Sequence, residues 1–223
     1  MRKKSTEVKP LWGYWLYTLT KQCTMPNWCF TSYVVTGDEN EVCDLYEKML
    51  SLEERDESLV ENGFGKSWLG NLVTLLGGDW NTIYCRGDWS GLEKDNDNGA
   101  LRFDTETAWN DPDEVVTFLQ GKYPSLEFYF ITEEPGMGYY ATNDTAGEYF
   151  PQRYTITPYD CGEEYQYEEG EEQEFFKEIE NITGYKVTNF EEVEKAVCDY
   201  NEQHEDEEIY VKIFRTKPNR DEQ

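Results

Sequence analysis

From Cys29 to Thr36 the chain runs through β-branched and aromatic residues that partly alternate, and Gly37 stops the run. Such a segment reads as a strand. Asp38 and Glu41 follow with the spacing of a helix capping box, and Val42, Leu45, Tyr46 and Met49 recur on one helical face. This β-then-α opening constrains the rest, because each element has one apolar side and buries it against another layer.

Residues 52–66 are charged and contain glycine, so they read as a loop. Trp68, Leu69, Leu72, Val73, Leu75 and Leu76 then make a broadly apolar helix, stopped by Gly77-Gly78. Its apolar surface is too wide for an isolated surface helix, which predicts burial within the chain. Thr82–Leu92 and Ala100–Ala108 read as a hairpin joined by Glu93 to Gly99, with Asn98-Gly99 as the turn signal. Asp111, Pro112 and Glu114 predict a helix start, with Asp at the cap, Pro at the first position and Glu completing the box. Val115, Phe118 and Leu119 form its buried face and Gly121 its end. Leu126–Thr132 is the next strand, followed by the turn Glu133-Glu134-Pro135-Gly136. Tyr139–Thr142 and Glu148–Thr157 are expected to extend the same sheet as a further hairpin.

The order β-α-(inserted helix)-β-β-α-β predicts an α+β fold. Its form is a ferredoxin-like split β-α-β antiparallel sheet with helices on one face, plus extra strands. This unit is expected over residues 25–157, an N-terminal extension over 1–24, and an acidic helical C-terminal extension over 158–223.

The chain has 223 residues and a formal charge of −27, from 47 acidic and 20 basic side chains. With 16% aromatic residues it is too rich in large apolar groups for a disordered acidic chain. The charge argues against direct nucleic-acid binding through a basic face, and against anionic membranes. It favours encounter with a protein that presents a basic surface. The acidity is concentrated in the tail: from Asp160 to Glu208 there are nineteen acidic residues and three lysines, a net of −16. Phe175, Ile179 and Ile182 nevertheless keep helical spacing, as do Phe190, Val193, Val197 and Tyr200, and Ile209–Thr216 reads as a strand. Cys161–Glu174 is expected to be the flexible tract. Glu171, Glu172, Glu178, Glu191, Glu192, Glu205 and Asp206 are the candidate acidic interaction surface.

Arg2, Lys3 and Lys4 precede a short apolar run from Leu11 to Leu19, a superficial likeness to an export signal. The run is too short to span a bilayer, is rich in Trp and Tyr, and lacks a small-x-small cleavage site. The expectation is an upstream start codon, with Met25 the ancestral first residue. The six cysteines form no C-x-x-C pair and no zinc spacing, and are expected to be reduced thiols in a cytoplasm.

No catalytic, cofactor or metal residues are assigned. His204, among acidic residues at a helix end, reads as a solvated cation. Gly63-Phe64-Gly65-Lys66-Ser67 ends like a phosphate-binding loop but lacks the upstream glycine and a preceding strand. Asp95–Gly99 suggests calcium, but Lys94 falls where an EF-hand needs its first ligand. Among 47 acidic residues any chosen carboxylate pair is uninformative.

Met25-Pro26-Asn27-Trp28-Cys29, the strand ending at Gly37, Trp109-Asn110-Asp111-Pro112, Tyr123-Pro124 and Glu133-Glu134-Pro135-Gly136 occur in this order. Together they resemble the YubB ferredoxin-like proteins of phages, plasmids and other mobile elements, over about residues 25–157. The resemblance implies no established activity and no catalytic residues. Trp28, Gly37, Trp109, Pro112, Pro124, Pro135 and Gly136 read as architecture, with the two tryptophans anchoring the core. The expected function is that of a non-catalytic accessory protein acting by macromolecular binding. The surfaces for this are the sheet face left open by the helices and the acidic C-terminal helices. Alternatives are a DNA mimic that inhibits a basic DNA-binding protein, a carboxylate-based hydrolase, and a homo-oligomer formed through a sheet edge.

Overall fold

The strand at the chain's opening sits in the middle of the larger of two sheets in this computed structural model, which describes residues 27–61, 64–95, 99–158 and 164–217. Among the described residues five α-helices and nine strands make a mixed α+β fold. The elements are β1 (Trp28–Thr36), α1 (Glu39–Glu53), α2 (Leu69–Leu75), β2 (Gly87–Lys94), β3 (Leu101–Ala108), α3 (Asp113–Lys122) and β4 (Glu127–Glu134). They continue with β5 (Tyr139–Thr142), β6 (Gln152–Pro158), β7 (Tyr165–Glu168), α4 (Glu172–Thr183), α5 (Phe190–Asn201), β8 (Ile209–Ile213) and β9 (Arg215–Thr216).

The first sheet has the order β2-β3-β1-β4-β5-β9. β1 is antiparallel to β3 on one side and to β4 on the other, and the short β5–β9 pair is parallel. α1, α2 and α3 cover one face. Val42, Leu45 and Met49 of α1, Leu69 and Leu72 of α2, and Val115 and Leu119 of α3 pack on Tyr33, Val35, Leu101 and Phe103.

The turn after β1 is specific. Gly37 has φ 142°, and a Cβ there would lie 2.4 Å from the Ser125 carbonyl oxygen. Asp38 caps α1, accepting from the N–H groups of Asn40 and Glu41 at 3.0 and 3.3 Å. The box is not closed in the expected way. Glu41 Oε2 accepts instead from the Ser125 N–H (3.1 Å) and hydroxyl (2.8 Å), while the Asp38 N–H donates to Ser125 Oγ (3.1 Å). The start of α1 is thereby tied to the loop that enters β4.

Several expectations are corrected. The second strand begins at Gly87, not Thr82. Asp79 gathers residues 79–83 into a turn, its carboxylate accepting from the Asn81 N–H and its carbonyl from Thr82 and Ile83. β2 also carries a bulge between Ser90 and Glu93. The Asn98 turn residue lies outside the described residues. Asp111 does not cap α3: Pro112 occupies that position without a side-chain bond, Asp111 is buried, and Glu114 accepts from the Tyr84 N–H (2.6 Å). α3 runs through Gly121 to Lys122.

The expected hairpin of β5 with the following strand does not form. β6 instead centres a second sheet, of order β7-β6-β8, against which α4 and α5 pack through Phe175, Phe176, Ile179, Val193 and Ala196. Tyr154 of β6 stacks on Phe175 and Phe190, at 5.0 and 5.2 Å between ring centroids. The pull of this aromatic cluster explains why β6 leaves the first sheet. Part of the tract expected to be flexible is ordered, as β7 and the first turn of α4; residues 159–163 lie outside the described residues.

Arg153 forms the joint between the sheets. It is 1% exposed and donates to the carbonyls of Phe150 (2.6 Å), Gln152 (3.2 Å) and Asp144, and to Glu169 Oε2 (2.9 Å). The Asp144 carboxylate accepts from the backbone N–H groups of Glu148, Tyr149 and Phe150. The chain then returns: the Phe214 N–H donates to the Arg153 carbonyl (2.8 Å) and the Lys217 N–H to the Thr142 carbonyl (2.7 Å).

Gly37→Ala is expected to destabilise the protein by at least about 1–3 kcal/mol, the usual cost of forcing a side chain into such a backbone conformation. Denaturant unfolding measures this; an unchanged midpoint would show that the Ser125 contact relaxes freely.

Candidate functional site

β1 is paired on both edges, so its residues alternate between the helix-covered face and an open one. Phe30 lies on the open face. Its cross-strand partners are Glu106 on β3 and Glu133 on β4, and the same transverse row continues to Asp88 on β2 and Tyr140 on β5. Phe30 is 46% exposed and Trp28, two residues earlier on the same face, is 43% exposed. Asp88 and Glu106 stand directly opposite each other, a destabilising like-charge arrangement. Among the described residues no cation forms an ion pair with either. Glu133 is engaged by Lys212 of β8 at 2.9 Å. In the next row Asp104 accepts from the Ser32 hydroxyl (2.7 Å). At the far end of the face Val34 is buried and Tyr129 packs against Tyr149, with ring centroids 4.7 Å apart. The open, acidic and aromatic part is therefore the end where β1 begins.

Trp109 adjoins that end. Its φ is 73°, unusual for a bulky residue, its N–H donates to the Asn27 carbonyl (2.8 Å), and it is 39% exposed. Trp28 and Trp109 thus do not anchor the core. The alternation of β1 turns the first outward, and the left-handed backbone turns the second away from the β3 ladder. Gly136 does make its turn: a Cβ there would lie 2.5 Å from Asn27 Nδ2, and Glu134 caps the turn by accepting from the Gly136 and Met137 N–H groups. Pro135 opens this short 3-10 turn, and Pro124 lies in the loop before β4.

A second feature lies on the helix side. A cleft of about 610 Å³ runs between α3 and the first half of β4, lined by Tyr33, Asp111, Asp113, Phe128, Phe130 and Lys217 among others. Asp111 is 2% exposed, and Lys217 Nζ lies 3.1 Å from its Oδ2 and 3.3 Å from Asp113 Oδ2. Burial, with the negative charge of Asp113 added, pushes the Asp111 carboxyl up to about 6, although Lys217 opposes the shift. Burial alone would lower Lys217, but the two carboxylates outweigh it and hold the ammonium charged. Asp111 and Lys217 both shift upward, because burial outweighs Lys217 at the acid while the two carboxylates outweigh burial at the amine. Burial, then the Asp111 charge, raises the Tyr33 hydroxyl well above the ordinary phenol value.

The residues chosen from sequence as an acidic surface are dispersed over the C-terminal helices. Glu171 and Glu172 open α4, Glu191 and Glu192 open α5, where carboxylates complement the helix dipole, and Glu205 and Asp206 lie in the turn before β8. Several are engaged locally: Glu171 accepts from the Glu168 N–H, Glu172 from the Tyr154 hydroxyl, Glu178 from Asn181, and Glu192 from the Thr188 N–H and hydroxyl. His204 is exposed, stacks on Tyr200 at 4.2 Å and contacts its carbonyl through Nδ1 (2.9 Å). The carbonyls of Gly65 and Lys66 accept from Asn71 Nδ2, so this loop turns carbonyl oxygens rather than a nest of N–H groups inward. Cys29, Cys43, Cys85 and Cys198 are free thiols; Cys23 and Cys161 lie outside the described residues. Among the described residues no helix is long and apolar enough to cross a membrane. Comparison with protein-family models, curated proteins and solved structures gives no match.

Because the folded carboxyl of Asp111 binds its proton more tightly than an unfolded one, this group favours folding below about pH 4 and opposes it above about pH 6. Relative to Asp111→Asn, the wild type is expected to lose up to about 2–3 kcal/mol of stability as pH rises through that window. Denaturant unfolding of both proteins at pH 4, 5, 6 and 7 checks it; a pH-independent difference would mean Asp111 titrates normally.

Proposed function

We propose that this is a non-catalytic binding protein whose open sheet face docks a basic protein surface. The observation that carries the reading is the row Asp88–Glu106–Phe30–Glu133 with Trp28 beside it. Exposed aromatic faces attract guanidinium and ammonium groups, and two carboxylates without an ion-pair partner would be relieved by a partner's cations. The net charge of −27 supports the choice of partner, since it speeds encounter with a basic protein and opposes a second copy of the chain or a nucleic acid. The strained Trp109 at the edge of the face is consistent with this, because such backbone is commonly kept where function needs it.

The finer fold assignment is part of the same reading. β1, β2, β3 and β4 with α1 and α3 are of ferredoxin-like topology, and the protein is a cytoplasmic accessory factor of a mobile element, akin to the YubB proteins. The strand order β2-β3-β1-β4 supports the first statement and the motif series from Trp28 to Gly136 the second. A basic DNA-binding protein is one partner of the right chemistry, and there the acidic face would stand in for phosphates. A carboxylate-based hydrolase has one observation in its favour, the raised Asp111 in a cleft. Both Asp111 and Asp113 are occupied by Lys217, however, which argues for a structural or binding duty.

Calorimetric titration with an Arg-Gly repeat peptide at 50 and 300 mM salt tests the proposal. Binding should weaken with salt, and Phe30→Ser and Glu106→Gln should each weaken it roughly two- to fivefold. A doubly neutralised Glu205→Gln/Asp206→Asn protein should bind as the wild type does. The reverse pattern would move the interaction to the C-terminal helices and sink the open-face reading. Duplex DNA added to a captured natural partner then distinguishes mimicry, in which DNA competes, from other basic contacts.

A further inference from the structure

The open face offers a cation two different contacts side by side. Phe30 is half exposed, and directly across the ladder from it stand Glu106 on β3 and Glu133 on β4. Residues directly opposite on adjacent strands have Cβ atoms about 4.5–5.5 Å apart, so a carboxylate flanks the ring on each side. The two are not equivalent. Glu133 is held by Lys212 at 2.9 Å, whereas the exposed Glu106 has no ion pair among the described residues. Along β1 the next outward residue is the small Ser32, which is turned to Asp104. Beyond Glu106 lies another acid, Asp88, and the face's own Arg102 stands further along β3, opposite Val34.

We propose that the notch formed by Phe30 and Glu106 takes an arginine side chain of the basic partner and discriminates against lysine. This rests on the open-face reading above and sharpens it to one residue type. A guanidinium is planar and weakly hydrated, so it stacks on the Phe30 ring while its edge gives two parallel N–H bonds to the Glu106 carboxylate. An ammonium is a compact, strongly hydrated point charge, and it meets the ring or the carboxylate without matching the plane of either. Glu133 is already engaged by Lys212, which leaves Glu106 as the carboxylate that receives the fork. Relief of the repulsion between Asp88 and Glu106 favours both cations alike. The stacked plane and the paired bonds are open to arginine only.

Calorimetric titration of the full chain with Arg-Gly and Lys-Gly repeat peptides of equal length, at 50 mM salt, reads the choice as a ratio of affinities. The arginine peptide is expected to bind roughly three- to tenfold more tightly. Glu106→Gln removes the charged acceptor, and Phe30→Leu keeps an apolar side chain without a π face. Each should bring the ratio down to about two or below. Glu205→Gln/Asp206→Asn should leave the ratio unchanged. Equal binding of the two peptides by the wild type, with Phe30→Ser still weakening both, would overturn the proposal and leave the open-face reading standing. Absence of binding, or binding that ignores Phe30→Ser, would remove both. If Phe30→Leu fails to fold, Glu106→Gln decides, and an unchanged ratio there refutes the arginine notch.

Discussion

The double antiparallel pairing of β1 sets the chemistry of both faces of the larger sheet. With β3 on one side and β4 on the other, every second side chain must enter the helix-covered core. Cys29, Thr31, Tyr33 and Val35 go in, while Trp28, Phe30 and Ser32 go out. A slip of β1 by one residue would exchange these sets, burying Trp28, Phe30 and Ser32 and exposing Tyr33 and Val35. The register is therefore held by the hydrophobic core, and the acidic, aromatic row across Phe30 is a by-product of that constraint.

The covered face is not uniform. Beneath α1 and α2 it is apolar, with Val42, Leu45, Met49, Leu72, Trp68 and Trp89 packed together. Toward the start of α3 it becomes hydroxylic: Thr31 and Thr132 share a hydrogen bond at 2.7 Å, the Cys29 thiol lies 3.1 Å from Thr132 Oγ1, and the Thr107 hydroxyl donates to the Asn110 carbonyl at 2.7 Å. These groups are satisfied within the protein, whereas the hydroxyl of Thr105, opposite Thr31, is buried without a hydrogen-bond partner among the described residues. Asp111 enters the fold beside them, which explains why a residue with the signature of a helix cap serves as a buried anion. Its side chain finds more in Lys217 than in an exposed N-terminal N–H.

Local signals carried much of the fold. Gly37, Asp38 and the periodicity of α1 were legible because backbone conformation and capping are set within a few residues. The sites were less so. Lys217 meets Asp111 across 106 positions, and nothing in the tail's composition marks that lysine out. Glu106, Phe30, Glu133 and Asp88 come together only through three strand registers, although the idea of an open face was implicit in the element order. The exposure of Trp28 and Trp109 was missed because tryptophan is so often a core residue; the alternation of β1 was the signal that could have found the first. The departure of β6 to a second sheet depended on Tyr154 finding Phe175 and Phe190, a clustering that strand periodicity does not encode.

The return of β9 to the first sheet has a consequence for how the protein is made. Residues 28–142 supply the first five strands, the chain then builds a second sheet, and only afterwards do Arg215 and Thr216 pair with Ala141 and Thr142. During synthesis the amino-terminal layers emerge and pack first. Asp111 then waits, with its charge uncompensated, until nearly the whole tail has left the ribosome. The Lys217 contact can form only after that, so a nascent or truncated chain presents Asp111 there without this ion pair.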